Sequence, residues 1–241
     1  MMINKKQERK ILYFLLILCS IFLTPSLVKS EVPLVIVEPN IVQNEIWEPN
    51  NVYLIDDLVY IEPDVTLVIR SGTIIVTTFY GGLIAGSDSR IIINYPTYFL
   101  PYDLRPFDAY CAAIELLPGV KTDSRLEGMI VCGAHFGIIN RNNRLNTPIN
   151  NCHMYTVYHP ILSLGRNITD ITNSQFVYYG TIWYNICPYL GCAIEVDLTY
   201  YPPEDPNEVL PPPTLTINNC TIDDGDCALY VQLDPTIEDP N

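Results

Sequence analysis

The chain has 241 residues and carries 27 Asp and Glu against 13 Lys and Arg, which gives a formal net charge of −14. Residues 1–30 hold five of the basic residues and one of the acidic ones, so the remainder carries a net charge of −18. This balance excludes the basic face that nucleic-acid binding needs, and it disfavours docking on anionic lipid or on a polyanion such as pectate. Acidic secreted proteins are commonly soluble and sometimes bind calcium.

Residues 1–30 have the features of a secretory signal. Its basic n-region contains Lys5, Lys6, Arg9 and Lys10. The apolar stretch from Ile11 to Phe22 is short for a transmembrane helix, and small and polar residues follow it. We expect cleavage near Ser30 and a secreted or surface-displayed product. Because Lys29 is a poor neighbour for a cleavage site, an uncleaved anchor is the alternative.

Residues 31–50 are predicted to form an extended entry segment that caps the N-terminal end of the fold. Short β-rich segments follow, with turn residues such as Pro63-Asp64 and Gly81-Gly82 between them. These segments are residues 59–61, 67–69, 74–76, 83–85 and 91–93. Strands of about three to five residues are too short for a sandwich and fit the flat faces of a coil. Since no helical periodicity occurs after the signal, we expect almost no helix.

Two proline-rich insertions interrupt the predicted coil domain, which spans residues 51–232. The first insertion is residues 95–112 and the second is residues 186–213. We interpret both as loops that bulge from a coil, and residues 233–241 as a C-terminal tail.

A short phrase recurs four times along the middle of the chain. Its copies are Leu126-Glu127-Gly128-Met129-Ile130-Val131, Ile149-Asn150-Asn151-Cys152-His153-Met154, Ile171-Thr172-Asn173-Ser174-Gln175-Phe176 and Ile217-Asn218-Asn219-Cys220-Thr221-Ile222. The starts lie 23, 22 and 46 residues apart. We interpret the last interval as two steps, with residues 193–196 as a strand of the coil between them. A fixed period near 23 residues predicts a stack of β-coils.

Equal repeat positions in a stack form columns, because parallel strands lie about 4.8 Å apart. The residues expected to point inward are Ile149, Ile171 and Ile217 in one column and Met154, Phe176 and Ile222 in another. Asn151, Asn173 and Asn219 are expected at a bend, where Asn tolerates left-handed backbone angles and its amide can bond the equivalent amide one coil away. Only the first two of these Asn residues are expected in consecutive coils. Cys152 and Cys220 occupy the position of Ser174 and Met129, which indicates a buried filler rather than a ligand.

The repeats resemble a known family of folds. Residues 65–73 read Val-Thr-Leu-Val-Ile-Arg-Ser-Gly-Thr, which is similar to the TLTIxPGT opening of many secreted bacterial β-helix proteins. The phrase Ile-x-Asn-Cys/Ser-x-hydrophobic, with Ile138, Ile161, Ile182 or Leu229 about twelve residues later, is similar to their generic coil. The resemblance covers residues 50–232 and points to the pectate-lyase-like superfamily. It implies an all-β, single-stranded right-handed parallel β-helix of about eight or nine coils of 22–23 residues.

Enzymes of that superfamily act on polysaccharides with a basic residue and calcium-holding acids, or with paired Asp residues. The part after the signal has a single lysine, Lys121, and no basic pair on one column, which departs from the lyase pattern. The densest carboxylate cluster is Asp223, Asp224 and Asp226. It is a candidate for catalysis, for weak calcium binding, or for a solvated turn, and the hydrolase signatures around it are missing.

Several aromatic residues fall near one column beside the repeats. The candidate ligand-binding residues are Tyr155, Tyr158, Tyr178, Tyr179 and Trp183, with His135, His153 and His159 close by. Exposed aromatics spaced by coils can stack on sugar rings, whereas inward-pointing ones would only cover the core. The three histidines lack metal-ligand spacing. Cys187 and Cys192 flank four loop residues and are the pair expected to form a disulfide.

The sequence therefore predicts a secreted or surface-displayed β-helix without catalytic residues of its own, which binds or contributes to extracellular polysaccharide or envelope material. It is expected to need no cofactor other than possible calcium, to bind no nucleic acid, and to be a monomer or part of a longer surface assembly. A polysaccharide lyase or glycoside hydrolase is the alternative, and a structural spacer in a larger surface protein is the second alternative. Any function is expected at the two insertions and on the outward strip between them.

Overall fold

A computed structural model describes residues 32–78, 80–102, 112–141, 148–155, 157, 159–164, 168–177, 192–197, 214–223 and 227–232. All regular elements in these ranges are β-strands, and they belong to one compact unit that begins at Pro33. In this part of the chain there is no helix of the length and apolarity needed to cross a membrane.

The strands form three parallel sheets. Sheet A contains β1 (Leu34–Ile36), β4 (Val52–Ile55), β7 (Ile74–Thr77), β10 (Thr97–Pro101), β13 (Met129–Cys132), β16 (His153–Tyr155), β19 (Gln175–Val177) and β22 (Thr221–Asp223). Sheet B contains β2 (Asn40–Ile41), β5 (Leu58–Ile61), β8 (Gly82–Ala85), β11 (Ala112–Leu116), β14 (Phe136–Asn140), β17 (His159–Leu164), β20 (Cys192–Asp197) and β23 (Cys227–Gln232). Sheet C contains β3 (Glu45–Trp47), β6 (Thr66–Ile69), β9 (Arg90–Ile93), β12 (Arg125–Glu127), β15 (Ile149–Asn150), β18 (Ile168–Thr172) and β21 (Thr214–Asn218).

The order of pairing shows how the chain is wound. Each strand pairs in parallel with the strands three before and three after it, so the chain visits sheets A, B and C in turn and then returns to sheet A one step along. The described strands therefore make a parallel β-helix with eight strands in each of its two larger sheets. The predicted fold class is confirmed.

The core is built from columns of apolar side chains inside the coil. In sheet A the inward column is Tyr53, Ile75, Phe99, Val131, Met154 and Phe176, all of them buried. Ile149 and Ile171 are directly paired in sheet C and are fully buried. Because alternate side chains of a strand point to opposite faces, four-residue strands such as Val52–Ile55 and Thr66–Ile69 each turn two residues inward. The predicted inward positions are confirmed for Met154, Phe176, Ile149 and Ile171.

At the corners that follow the sheet C strands, the backbone adopts the left-handed conformation. Asn151, Asn173 and Asn219 have φ values of 54°, 51° and 51°, and Gly128 takes the same corner one coil earlier with a φ of 72°. Asn tolerates this region better than other side chains do, and glycine adopts it without steric cost. The predicted backbone at the Asn positions is confirmed. The predicted bond between equivalent corner amides is confirmed for Asn219, which donates to Oδ1 of Asn173 at 2.8 Å, but it is wrong for Asn173, which donates to Oδ1 of Asn150 at 3.0 Å rather than to Asn151.

The interval of 46 residues between the last two repeats is one coil, not two. Ile171 pairs directly with Ile217, and the amide nitrogen of Asn173 donates to the carbonyl oxygen of Asn218. The strand expected at residues 193–196 exists as β20, but it is the sheet B strand of this single enlarged coil. The added length falls at residues 178–191 and 198–213, outside the described residues, and the register between the described strands is unchanged.

The end of the stack differs from its middle. Ile217 keeps the register of the Ile column but is 38% exposed, and Ile222 is only partly buried. Both residues lie on the last strands of their sheets that the structure describes, so no further described strand covers them. The predicted stacking of Ile217 on Ile171 is therefore confirmed, but Ile217 is not buried as Ile171 is.

The segments predicted as an entry and as insertions also contribute strands. Residues 34–47 supply β1, β2 and β3, one strand for each sheet, and they pair with the next coil. The range 95–112 includes β10, which pairs with β7 and β13.

Candidate functional site

The outer face of sheet A presents two columns of side chains to solvent. The first column is Leu34, Val52, Ile74, Tyr98, Ile130, His153, Gln175 and Thr221, and the second is Ile36, Leu54, Val76, Leu100, Cys132, Tyr155, Val177 and Asp223. All sixteen side chains are partly or fully exposed. We call the outward residues of β1, β4, β7, β10 and β13 the aliphatic half of this face. Those of β16, β19 and β22 are the polar half.

The polar half joins an imidazole, a phenol and a carboxamide across two neighbouring coils. His153 is paired with Gln175, and its Nδ1 lies 3.3 Å from Oε1 of that residue. The Tyr155 hydroxyl donates to the same Oε1 at 3.4 Å. The His153 and Tyr155 rings are nearly parallel, with an interplanar angle of 11° and centroids 6.5 Å apart. This arrangement offers ring surface and hydrogen-bonding groups on one outward patch.

The protonation of Tyr155 follows from its surroundings. Burial raises the pKa of its hydroxyl, and the Coulombic effects of Cys132 and Tyr95 raise the pKa further. A phenol with a raised pKa stays protonated at neutral pH, so Tyr155 acts there as a hydrogen-bond donor as well as an acceptor.

Tyr155 is the member of the predicted aromatic strip that the structure describes. Tyr158, Tyr178, Tyr179 and Trp183 lie outside the described residues, so their part in a binding strip stays a prediction. The histidines, which the sequence placed close together, belong to different faces. His153 lies on sheet A, whereas His159 lies on sheet B and His135 immediately precedes the sheet B strand β14.

His135 and His159 belong to a packed cluster on sheet B. The rings of Phe136 and His159 stack with centroids 5.2 Å apart, and His135 lies 5.8 Å from His159. Nδ1 of His159 lies 3.0 Å from a carboxylate oxygen of Glu195, in the geometry of an ion pair rather than a well-aligned hydrogen bond. Ala112, Ile139 and Leu164 form a buried apolar cluster on the same sheet, with Phe136 packed against them.

Burial determines the charge of His135. Together with the smaller Coulombic effect of the neighbouring His159, burial lowers the pKa of this residue to about 4. His135 is therefore neutral at physiological pH and behaves as a packing residue. The described residues contain no group of three or more His, Cys, Asp or Glu side chains placed to hold a metal ion.

Only some of the candidate carboxylate and cysteine residues lie within the described ranges. Asp223 ends β22, is exposed, and stands opposite Val177 on the outer face of sheet A. Asp224 and Asp226 lie outside the described residues, as does Cys187, so the catalytic, calcium and Cys187–Cys192 disulfide hypotheses stay predictions.

The repeat cysteines are scaffold residues. Met129, Cys152 and Ser174 are buried at the same coil position, and the Cys152 thiol has a pKa raised to about 12 by burial. A thiol that stays protonated is a poor nucleophile and a poor metal ligand. The prediction that these cysteines fill the core is confirmed for Cys152.

Sequence reasoning missed Gln175 and the whole aliphatic half. The available signal was the composition of strands such as Val52–Ile55 and Ile74–Thr77, in which the outward positions are as apolar as the inward ones. Such a strand has no polar side to mark its solvent face. No family model matches the chain, and no curated protein or solved structure matches it either.

Proposed function

We propose that this chain is a non-catalytic, secreted or surface-displayed β-helix protein that binds neutral extracellular polysaccharide or envelope material. The binding site is the polar half of the outer face of sheet A. The observation that carries the proposal is the group formed by His153, Tyr155 and Gln175, in which two parallel rings and a carboxamide lie side by side on adjacent coils.

The chemistry of this group suits a sugar. A pyranose ring has apolar C–H faces that pack on an aromatic ring, and hydroxyls at its edge that need donors and acceptors. Tyr155 and His153 supply ring surface, while Gln175 and the Tyr155 hydroxyl supply hydrogen bonds. Direct neighbours in a parallel sheet are about 4.8 Å apart, so one saccharide unit can contact both coils.

The negative net charge of the chain favours neutral polymers as ligands over anionic ones. The part of the chain after residue 30 carries a net charge of −18, which repels pectate, nucleic acid and other polyanions at moderate ionic strength. The proposal includes membership of the pectate-lyase-like superfamily, supported by the three parallel sheets and by the repeated Ile-x-Asn phrase. It also includes export by the signal at residues 1–30.

A hydrolase is the second candidate, favoured by one observation. Asp223 lies in the same outward column as Tyr155, two coils further along the face. A carboxylate beside a bound sugar is the arrangement that glycoside hydrolysis requires, provided that a second carboxylate stands about 5–10 Å away.

A glycan array with the purified full chain tests these functions, with and without calcium, and with both binding and the release of reducing ends as readouts. Tyr155→Ala is expected to weaken binding to neutral glycans about tenfold or more, since it removes the ring and a donor. Tyr60→Ala is the matched control, because Tyr60 is an exposed tyrosine on sheet B. It should leave binding unchanged.

Each other outcome selects a different function. Release of reducing ends, lost in Asp223→Asn, would identify a hydrolase. Binding that is insensitive to Tyr155→Ala would move the site elsewhere, and the absence of any glycan binding would favour a structural spacer.

A further inference from the structure

The aliphatic half of the outer face of sheet A is an extended apolar surface. Its ten outward residues are Leu34, Ile36, Val52, Leu54, Ile74, Val76, Tyr98, Leu100, Ile130 and Cys132. Leu34 and Ile36 are 60% and 67% exposed, and the other eight are partly exposed. Polar groups among these ten are limited to the Tyr98 hydroxyl and the Cys132 thiol, and burial raises the pKa of that thiol to about 11. Contiguous apolar patches of this kind are often interaction sites, which makes this face a candidate for one.

Ion pairs of the described residues lie on other faces of the β-helix, whereas the exposed carboxylates Glu38 and Asp56 border the aliphatic half just beyond β1 and β4. Sheet C carries ion pairs at its outer face and edges, including Arg90 with Asp123, Arg70 with Glu48 at 2.9 Å, and Arg125 with Glu127 at 3.9 Å. None of the ten residues of the aliphatic half is charged, although the whole chain has a net charge of −14. The partner of this face is therefore uncharged and apolar where the two surfaces meet.

The face does not suit the sugar ligand proposed for the polar half. A saccharide loses its hydrogen bonds with water when it docks, and aliphatic side chains offer nothing in return. A second apolar sheet face has no such requirement, because it too gains by leaving water.

We propose that the aliphatic half is a self-association surface, on which two copies of this chain pack sheet A against sheet A. A two-fold interface brings a patch against itself, so it needs a surface that does not repel its own image. An uncharged sheet face meets that need, whereas the ionic outer face of sheet C would place like charges opposite each other. The proposal does not depend on the glycan function.

The geometry defines where the axis lies. The middle of the five strands is β7, which carries Ile74 and Val76. A two-fold axis that runs parallel to β7, midway between the two sheets, places β1 of one copy opposite β13 of the other. The polar half of each copy then extends beyond the contact and stays accessible. Two sheets packed in this way lie about 10 Å apart.

The size of the face sets the strength of the dimer. Five strands spaced about 4.8 Å apart span about 24 Å, and two outward columns about 7 Å apart give a face on the order of 300 Å² per copy. Standard stable interfaces bury about 800 Å² per partner, so a weak and reversible dimer is expected. Because both copies are strongly acidic, salt should strengthen the dimer by screening their repulsion.

Sedimentation velocity of the purified full chain over a series of concentrations, at low and high salt, tests the proposal. The wild type should shift reversibly from monomer to dimer as concentration rises, and more readily at high salt. Ile74→Glu places a charge at the centre of the face and should weaken the dimer at least tenfold. Ile92→Glu is the matched control, because Ile92 is a partly exposed isoleucine on the outward side of sheet C. It should leave the dimer unchanged.

Circular dichroism and thermal unfolding check that both variants fold. If Ile74→Glu does not fold, Ile74→Thr keeps the β-branched shape, removes apolar surface and should still weaken the dimer. A wild type that stays monomeric throughout the series would overturn the proposal, and so would a dimer that Ile74→Glu and Ile92→Glu affect equally. Flotation of the monomer with neutral phosphatidylcholine vesicles, lost in Ile74→Glu, would assign the face to lipid instead.

Discussion

Asn219 donates its side-chain amide to Oδ1 of Asn173 at 2.8 Å, although 46 residues separate the two along the chain. Both residues have a φ of 51° and occupy the same corner of consecutive coils. Asn173 in turn donates its amide to Asn150 at 3.0 Å. A ladder of carboxamides therefore runs along one edge of the β-helix and links coils that are far apart in sequence.

The ladder predicts the stability of two variants at one position. Asn173→Gly keeps the left-handed backbone but loses both amide bonds, and we expect a cost of about 1–2 kcal/mol in the free energy of unfolding. Asn173→Ala loses the bonds and also strains the backbone, so it should cost about 1 kcal/mol more. Urea unfolding measures both values. Equal costs for the two variants would show that backbone strain does not matter at this corner.

We expect truncation of an isoleucine to lower the free energy of unfolding more in the middle of the Ile column than at its end. Ile171→Ala removes a fully buried side chain and should reduce the free energy of unfolding by about 2–5 kcal/mol. Ile217→Ala, in the same column one coil later, removes a side chain that is 38% exposed and should cost less than half as much. Denaturant midpoints for the two variants test this. A larger loss for Ile217→Ala would mean that the last described coil is as tightly packed as the middle.

The buried thiol of Cys152 predicts low reactivity. With a pKa raised to about 12, the thiol should resist alkylation at about pH 8 in the native protein and react fully once urea unfolds it. Mass spectrometry of labelled peptides distinguishes the two states. Cys152→Ser should fold with a loss of about 1 kcal/mol or less, because Ser174 occupies the same position one coil later. Fast labelling of native Cys152 would contradict its place in the core.

His135 predicts how stability changes with pH. Its pKa is about 4 in the folded protein against an ordinary value of 6.5, so the unfolded chain binds more protons between these values. The stability that His135 contributes is fully present above about pH 6.5 and is lost as pH falls towards 4. The free energy of unfolding of His135→Gln should therefore fall less over this range than that of the wild type. Parallel pH profiles for the two proteins would refute the assignment.

The fold could be predicted because each coil imposes the same requirements on its residues. Inward residues such as Ile149 and Ile171 recur at the length of one coil, and a corner that needs left-handed backbone selects Asn or Gly each time. These requirements act on every coil, so they leave a period in the sequence.

The candidate site was much less predictable, because parallel pairing is set by contacts between coils. The sequence placed Tyr155 among aromatic residues, but only the structure puts Gln175 beside it. The structure also shows that His159 lies on sheet B and that His135 directly precedes a strand of that sheet. A shift of one residue along a strand reverses which face a side chain occupies, and loops of unknown length hide that register.

The sequence by itself thus determined that the chain forms a coil of short strands with an Ile-lined core and Asn corners. The tertiary structure decided that residues 171 and 217 lie in adjacent coils, and that the outer face of sheet A divides into an aliphatic and a polar half. The physical reason is the same in each case. Local chemistry sets the period, whereas the register between distant strands is settled only when the inward columns pack together.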